Sequence, residues 1–408
     1  MEFFDFTVYV TYLGMIGQAF FPSDNAFVSD LASAATFGAG FIARPLGGAI
    51  IGAYGDRAGR RPAMTLSIGL MAIGSGMIAA TPGYAAIGAW APILLILARL
   101  LQGFAVGGEV GPATMFLLEA APANQRMFFS SWQFASQNLG ALASGLIGFL
   151  LALALSKSSF NDWGWRVPFA IGVLIAPVGA YIRSRLVETL DSSARKELSN
   201  TKAILSVIIR LNCPGVLLSL AVISGGTITQ YFLLTLTPYA IRTLHLPELG
   251  AVTLGITGCI GALAGGRLAD QWGIRAIAIA PRILLMLVLF PAMKFLIANP
   301  NGATLILVIS ILSLLQGMSA GVGVMMIPLI FPRAVRATAL ALTYSLGVAV
   351  FGGTATYVVT WLVGVTNDPL ASTYYVMAAN FALLAAFLAV RNADFDSLAK
   401  RVVGDTDV

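Results

Sequence analysis

Long apolar segments follow one another along almost the whole chain, and this pattern restricts the fold more than any other feature of the sequence. The 408 residues are 58% hydrophobic and 10% charged, with a mean hydropathy of +0.86. A soluble domain carries about 25% charged residues, because its surface must face water. A membrane-spanning helix needs about 20 mostly apolar residues, so the chain has room for roughly a dozen spans. The composition therefore predicts an all-α membrane protein.

Breaks between the apolar runs predict about twelve membrane helices in two groups of six. We expect an N-terminal six-helix bundle over 1–185, a cytoplasmic linker over 186–210, a C-terminal six-helix bundle over 211–391 and a cytoplasmic tail over 392–408. The predicted spans lie near residues 2–21, 28–51, 62–81, 88–119, 128–155, 164–184, 211–242, 247–269, 274–298, 302–331, 337–364 and 371–391.

The distribution of basic residues predicts the orientation of the chain. Lysine and arginine in the connecting segments and near the span ends concentrate on one side, and the opposite side holds Lys157, Arg166, Arg242 and Lys294. Because basic loops stay in the cytoplasm, both termini are expected on the cytoplasmic side of a bacterial inner (plasma) membrane. This bias also accounts for the net charge of +6, so no nucleic-acid partner is expected. Met1 stands almost at the first apolar run, which is consistent with a missing soluble tail.

The sequence repeats itself at an offset of 214 residues. The segment 52–61 recurs as 266–275 with matching Gly, Asp, Gly and Arg positions, and Leu-Leu-Gln-Gly at 100–103 recurs at 314–317. Several matches in the same order indicate two homologous halves rather than convergent packing. Halves repeated in parallel are related by an axis along the membrane normal, with a substrate site between them near the middle of the membrane.

The repeat units resemble a known superfamily. Gly52-x-x-x-Asp56-Arg57-x-Gly59-Arg60-Arg61 resembles the loop between helices 2 and 3 of the major facilitator superfamily. Arg99 with Gln102-Gly103 resembles the fourth helix of that superfamily, and Glu119-x-x-Pro122-x-x-x-Arg126 resembles the following loop. The resemblance implies two pseudo-symmetric six-helix bundles, transport by alternating access, and no cofactor other than a proton gradient.

Finer patterns resemble the metabolite–proton symporters within that superfamily. They include Glu2-Phe-Phe-Asp5-Phe, Arg44-Pro-Leu-Gly-Gly48, Gly107-Gly108-Glu109 and Trp163-Gly-Trp-Arg166. Ser131-Trp132-Gln133 and Phe351-Gly352-Gly353 are similar to the citrate and tricarballylate branch. The resemblance implies a symporter that carries a proton with a small organic acid anion, and a monomer is sufficient for alternating access.

Ionisable groups inside the spans are few, and each is a functional candidate because a buried charge is costly in lipid. Asp5 lies in the first predicted span and Arg99 in the fourth. Burial favours a protonated carboxyl group, whereas a nearby arginine favours the carboxylate. Movement of one group relative to the other would therefore load and release a proton, a role that the resemblance also implies. The alternative is a permanent structural ion pair. Arg44 and Arg282 are expected nearer the ends of their spans, which leaves the mid-membrane charges to the first half.

An organic anion entering the membrane needs cations or hydrogen-bond donors in place of water. Arg99 can bind a carboxylate through two parallel hydrogen bonds. Polar side chains in apolar spans are the other candidates, although aligned amides also join helices and threonine hydroxyls also bond their own helix. The predicted substrate-binding residues are Arg99, Tyr9, Tyr12, Gln102, Gln133, Gln137, Asn138, Gln230, Tyr231 and Gln316.

Charges at the cytoplasmic ends of the predicted helices are expected to form a gate that locks one facing state. Gln271 and Ile274 replace the basic residues of the first repeat, so the lock of the second half is expected to be weaker. The predicted gate residues are Asp56, Arg57, Arg60, Arg61, Glu109, Glu119, Arg126, Asp270 and Arg275.

The preferred functional hypothesis is proton-coupled import of citrate or a related tricarboxylate. Symport of a dicarboxylate such as 2-oxoglutarate, of shikimate, or of proline or betaine remains as an alternative within the same family. One histidine and scattered carboxylates offer neither a nucleophile–base pair nor a metal cluster, so no enzyme activity is predicted. A transporter-like sensor would need a soluble domain larger than the tail 392–408.

Overall fold

The computed structural model describes residues 2–58, 60–107, 117, 121–184, 213–243, 249–330 and 336–389, and this part of the chain is almost entirely helical. The predicted linker 186–210 and tail 392–408 lie outside the described residues. The helices of eight or more residues are α1 (Glu2–Thr11), α2 (Leu13–Phe20), α3 (Ala26–Ile42), α4 (Arg44–Ala58), α5 (Arg60–Ala80), α6 (Trp90–Val106), α7 (Arg126–Ala154), α8 (Val167–Ser184), α9 (Cys213–Thr243), α10 (Leu249–Trp272), α11 (Ile274–Ala298), α12 (Gly302–Ile330), α13 (Arg336–Gly347), α14 (Gly353–Thr366) and α15 (Ala371–Ala389).

The helices have the length and composition that a bilayer requires. Within the described residues, eight helical segments are long and apolar enough to cross a membrane, and three shorter apolar helices accompany them. Large apolar side chains lie on the outer surface, among them Ile42 at 74% exposed and Leu174 at 70%. Such apolar side chains suit the hydrocarbon of a bilayer, and a helix also satisfies its own backbone hydrogen bonds there.

Some predicted spans are interrupted rather than straight. The second is divided at Ala43 into α3 and α4, because Pro45 has no N–H to continue the helical hydrogen bonds. The eleventh contains a five-residue π-helical turn, Val348–Gly352, between α13 and α14. The first is divided at Tyr12 into α1 and α2. Continuous hydropathy does not reveal such breaks.

The two halves meet along two pairs of helices. Helix α7 packs along α10, and a Cβ added at Gly258 would collide with the side-chain oxygen of Asn138. On the other side α3 crosses α14, where a Cβ on Gly38 would collide with the backbone oxygen of Gly353. Glycine allows the close backbone approach on which helix packing in membranes depends. The central cavity is lined by residues of α1, α4 and α7 from the first half and of α9, α11, α12, α13 and α15 from the second.

Candidate functional site

Asp5 lies fully buried in α1, within a polar cluster of the first half. Its Oδ2 accepts a short hydrogen bond from the hydroxyl of Ser75 in α5. The same oxygen accepts from Nε2 of Gln102 in α6 at 3.4 Å. Its Oδ1 has no hydrogen-bond partner among the described residues, and it lies where a Cβ on Gly172 of α8 would collide with it at 2.7 Å. Three neighbouring helices therefore enclose the carboxyl group.

The hydroxyl group of Ser75 makes this cluster compatible with both forms of Asp5. It lies within hydrogen-bonding distance of Asp5 Oδ2 and also 3.0 Å from the backbone oxygen of Met71, but a serine has one proton to donate. A carboxylate receives that proton. A protonated Asp5 can instead donate to Ser75, whose own proton then goes to Met71. Rotation of one hydroxyl group thus accommodates the gain or loss of a proton.

Arg99 lies beside this cluster and is also fully buried. Its Nη1 donates to Oε1 of Gln102 at 2.6 Å, and its Nε and Nη2 have no hydrogen-bond partner among the described residues. The guanidinium carbon lies 4.8, 4.6 and 4.9 Å from the ring centroids of Phe6, Tyr9 and Phe37. Gln102 therefore stands between Asp5 and Arg99, and the direct ion pair of the structural alternative is not formed in this arrangement.

The central cavity lies between the halves and has a volume of about 60 Å³, enough for several water molecules in this conformation. None of the described residues that line it is an aspartate or glutamate, and two are arginines. The lining residues are Phe3, Arg44, Phe134, Gln137, Val222, Ile223, Gly226, Thr227, Gln230, Tyr231, Arg282, Ser319, Ala320, Gly323, Val324, Tyr344, Val348, Leu383 and Phe387.

Some of the predicted substrate-binding residues lie on this cavity, namely Gln137, Gln230 and Tyr231. Nε2 of Gln230 is buried without a hydrogen-bond partner among the described residues, so it is a donor left available. The others lie elsewhere. Arg99, Tyr9 and Gln102 lie in or beside the Asp5 cluster, Tyr12 packs against Phe160, and Asn138 contacts α10. Gln316 lies behind the cavity wall, and Gln133 lies on α7 outside the lining. Their role in binding stays a prediction.

The expectation that mid-membrane charge belongs to the first half alone is wrong. Arg282 of α11 is 1% exposed and lines the cavity from the second half. Arg44 of α4 lines it from the first half, with its guanidinium carbon 4.2 Å from the ring centroid of Phe41. The signal is an arginine inside each apolar run, but hydropathy alone does not tell a buried position from the end of a span.

Asp270 joins the two halves at the end of the helices that the orientation rule assigns to the cytoplasm. Its carboxylate oxygens accept the backbone N–H groups of Met127 at 2.9 Å and Phe128 at 3.0 Å. These two donors belong to the first turn of α7, where the helix dipole favours a negative charge. The carboxylate at the end of α10 therefore holds the start of α7 in place.

The rest of the predicted gate is only partly visible. Glu109 and Glu119 lie outside the described residues, as do the side chains of Asp56, Arg57, Arg60 and Arg61. Arg126 begins α7 beside the Asp270 contact, and Arg275 lies in the first turn of α11. The gate function of these residues stays a prediction.

Asp270→Asn tests the contact at this end of the molecule. The neutral amide keeps one acceptor but loses the negative charge and one of the two N–H partners. The equilibrium between contact and separation of these ends of α7 and α10 should therefore shift on the order of tenfold toward separation. With both cysteines replaced, spin labels on Asn124 and Gln271, both exposed, should show a longer distance in this variant. Asp368→Asn is the matched control, because Asp368 also accepts a backbone N–H, from Leu370 at 2.8 Å, in the α14–α15 connection. An unchanged distance in Asp270→Asn would contradict a gating role.

Comparison with known proteins places this architecture in a family. The family model described as "Sugar (and other) transporter" matches residues 1–210. A citrate-proton symporter of Salmonella typhi is 35% identical over 394 residues, covering 95% of this chain and 90% of the relative. The chain belongs to the major facilitator superfamily.

Other relatives of this facilitator differ in what their names say they carry. A citrate-proton symporter of Klebsiella pneumoniae is 33% identical, over 95% of this chain and 88% of the relative. A proline/betaine transporter of Salmonella typhimurium is 34% identical, over 92% of this chain and 78% of the relative. Because this chain is about equally similar to both groups, sequence identity does not decide the substrate. The residues that line the cavity are therefore the basis for the choice.

Solved structures agree with the predicted fold of the facilitator. The xylose transporter of E. coli, in a partially occluded inward-open conformation, superposes with a TM-score of 0.73 at 19% identity. That match covers 96% of this chain and 94% of the other. The prediction of an all-α membrane protein with the twelve-helix architecture of this superfamily is confirmed.

Proposed function

We propose that this facilitator is a proton-coupled symporter that imports an organic acid anion, citrate or a related tricarboxylate first. The observation that carries the proposal is the charge of the central cavity: Arg44 and Arg282 line it from opposite halves, and no acidic residue is among its described lining. The positive-inside bias of the sequence supports an inner-membrane location with both termini in the cytoplasm.

The charge of the cavity favours a polyanion over a zwitterion. A carboxylate that leaves water must regain hydrogen bonds and a counter-charge, and arginine provides both. A second carboxylate on the same molecule gains from the second arginine. A quaternary ammonium group would instead enter a space with two cations, where repulsion is only weakly screened. Two arginines from opposite halves also allow one substrate to hold the halves together.

Proline or betaine transport is the second candidate, and specific observations favour it. A proline/betaine transporter is among the relatives, and aromatic rings of Phe3, Phe134, Tyr231, Tyr344 and Phe387 line the cavity. Aromatic faces attract quaternary ammonium groups. The arginines favour the anion, because their charge acts on a ligand anywhere in the cavity. An aromatic ring attracts an ammonium group only where that group stacks on the ring.

Proton coupling is proposed for the Asp5 cluster, which lies outside the lining of the cavity. Asp5 would hold the proton, and Arg99 would favour its release once a helix movement brings the guanidinium group to the carboxylate. Proton and substrate would then occupy neighbouring but separate sites of one alternating-access cycle. A monomer is sufficient for this cycle.

Counterflow in proteoliposomes distinguishes the candidate substrates. Vesicles loaded with unlabelled citrate, tricarballylate, 2-oxoglutarate, shikimate or proline are diluted into the same labelled compound, without a proton gradient. We expect exchange of citrate or tricarballylate at the lowest concentrations and weaker exchange of the acids with fewer carboxylates, because fewer charges then meet the two arginines. Exchange of proline without exchange of any carboxylate would overturn the proposal.

A further inference from the structure

Two glutamines occupy equivalent places in the two halves. Gln102 of α6 and Gln316 of α12 each stand in the sequence Leu-Leu-Gln-Gly. Both are fully buried, and the Oε1 of each accepts a hydrogen bond from Nη1 of an arginine. Because arginine can only donate, this contact fixes the orientation of each side-chain amide. Each glutamine therefore orients one buried arginine and directs its own NH₂ group to the opposite side.

The two arginines held in this way have different surroundings. Arg99 lies on the same helix as Gln102 and is enclosed by aromatic rings, outside the cavity lining. Arg282 comes from a neighbouring helix and lines the cavity. Its Nε donates to Ser319 at 3.1 Å and its Nη1 to Asn380 at 3.0 Å. Nη2 takes part in none of these hydrogen bonds between described residues, so it is the donor that a substrate carboxylate can use.

The NH₂ groups of the two glutamines also have different partners. Nε2 of Gln102 donates to Ser75 at 2.9 Å and to Asp5 at 3.4 Å. Nε2 of Gln316 donates to the backbone oxygen of Gly226 in α9 at 2.8 Å. Gly226 itself lines the cavity. One glutamine therefore connects an arginine with a carboxyl group that can carry a proton, and the other connects an arginine with the substrate cavity.

We infer that these glutamines have diverged into two positioning residues with separate tasks. Gln102 keeps Arg99 apart from Asp5 in this conformation and so controls proton coupling. Gln316, with Asn380 and Ser319, holds Arg282 with Nη2 available to a carboxylate and so controls substrate affinity. Gln102 is then not a substrate ligand. The inference rests on the proposed symport of an organic anion.

Gln102→Met and Gln316→Met separate the two tasks, because methionine is close to glutamine in length but has neither an amide oxygen nor an NH₂ group. Two quantities are measured in proteoliposomes: the KM of citrate counterflow without a gradient, and the accumulation of citrate under an imposed pH gradient at saturating citrate. Gln102→Met should retain the counterflow KM within about twofold and lose accumulation at least about tenfold. Gln316→Met should raise the counterflow KM about tenfold, as expected for one lost charge-assisted hydrogen bond, and keep accumulation.

Several outcomes would overturn the inference. If both methionine variants raised the counterflow KM equally, Gln102 would be a substrate-binding residue. If both lost accumulation equally, both glutamines would be part of the coupling. No change in either variant would exclude a positioning role for both. Gln18→Met, at an exposed position of α2, is the matched control and should alter neither quantity.

Insertion and stability of each variant are checked by size-exclusion chromatography and thermal unfolding. If the methionine variants do not fold, Gln102→Glu and Gln316→Glu replace them. Gln102→Glu places a second negative charge beside Asp5 and should abolish accumulation, whereas Gln316→Glu neutralises Arg282 and should raise the counterflow KM. The reverse pattern would overturn the inference. Absence of carboxylate counterflow in the unmodified protein would instead contradict the proposed function, so the two failures are distinguishable.

Discussion

Asp5→Asn should abolish proton-driven accumulation of substrate while leaving exchange across the membrane in place. Asparagine fills the same space between α1, α5 and α6 and keeps an oxygen for the hydroxyl of Ser75, but it can neither take up nor release a proton. With a gradient of about two pH units, one coupled proton can drive roughly a hundredfold concentration ratio. In the variant this ratio should fall to about one, because substrate then only equilibrates.

The measurement is uptake of labelled citrate into proteoliposomes with an alkaline interior, together with counterflow on the same preparation. Asp162→Asn is the matched control, since Asp162 is an exposed carboxylate that accepts a hydrogen bond from Ser158 outside the proposed sites. It should accumulate citrate normally. Unchanged uphill uptake in Asp5→Asn would remove Asp5 from the coupling mechanism.

Arg282→Gln should have the largest effect on substrate recognition. It removes one of the two cations of the cavity, and losing one partner of a buried hydrogen-bonded charge pair costs about 2 kcal/mol or more, roughly 30-fold in affinity. We expect the KM of citrate counterflow to rise by at least about this factor. Arg282→Lys should have an intermediate effect, because it keeps the charge but cannot donate to Ser319, Gln316 and Asn380 from one planar group.

The controls for Arg282 separate recognition from folding. Arg166→Gln removes an arginine that donates to the backbone oxygens of Asp162 and Thr81 outside the cavity, and its counterflow KM should stay near the normal value. Thermal unfolding of each variant measures the cost of leaving Gln316 and Asn380 without their donor. A well-folded Arg282→Gln protein with a normal citrate KM would show that Arg282 does not bind the substrate.

Much of the fold can be predicted from the sequence because the bilayer imposes one rule on every span. The predicted run 128–155 corresponds to α7 (Arg126–Ala154), and 274–298 coincides with α11. The repeat offset also pairs Gln102 with Gln316, which occupy equivalent places. The breaks at Tyr12 and Val348–Gly352 fall within predicted spans that contain no proline, so neither hydropathy nor a helix breaker indicates them.

The candidate site was less predictable, because helical spacing gives a face but not its neighbours. Tyr9 and Tyr12 follow Asp5 at helical spacing, which predicts one shared face of one helix. In the structure Tyr9 lies over Arg99 beside the Asp5 cluster, whereas Tyr12, which follows the end of α1, packs against Phe160. Asp5 and Arg99 do lie in one region, but the residue between them is Gln102.

Proton movement during citrate flux tests the central claim most directly. The purified protein is reconstituted into vesicles that contain a pH-sensitive dye, with citrate added outside in weakly buffered medium and no initial pH gradient. The account predicts acidification of the interior that starts with citrate, fails to start with proline and is absent in Asp5→Asn. Citrate entry without acidification, or acidification driven by proline but not by citrate, would contradict it.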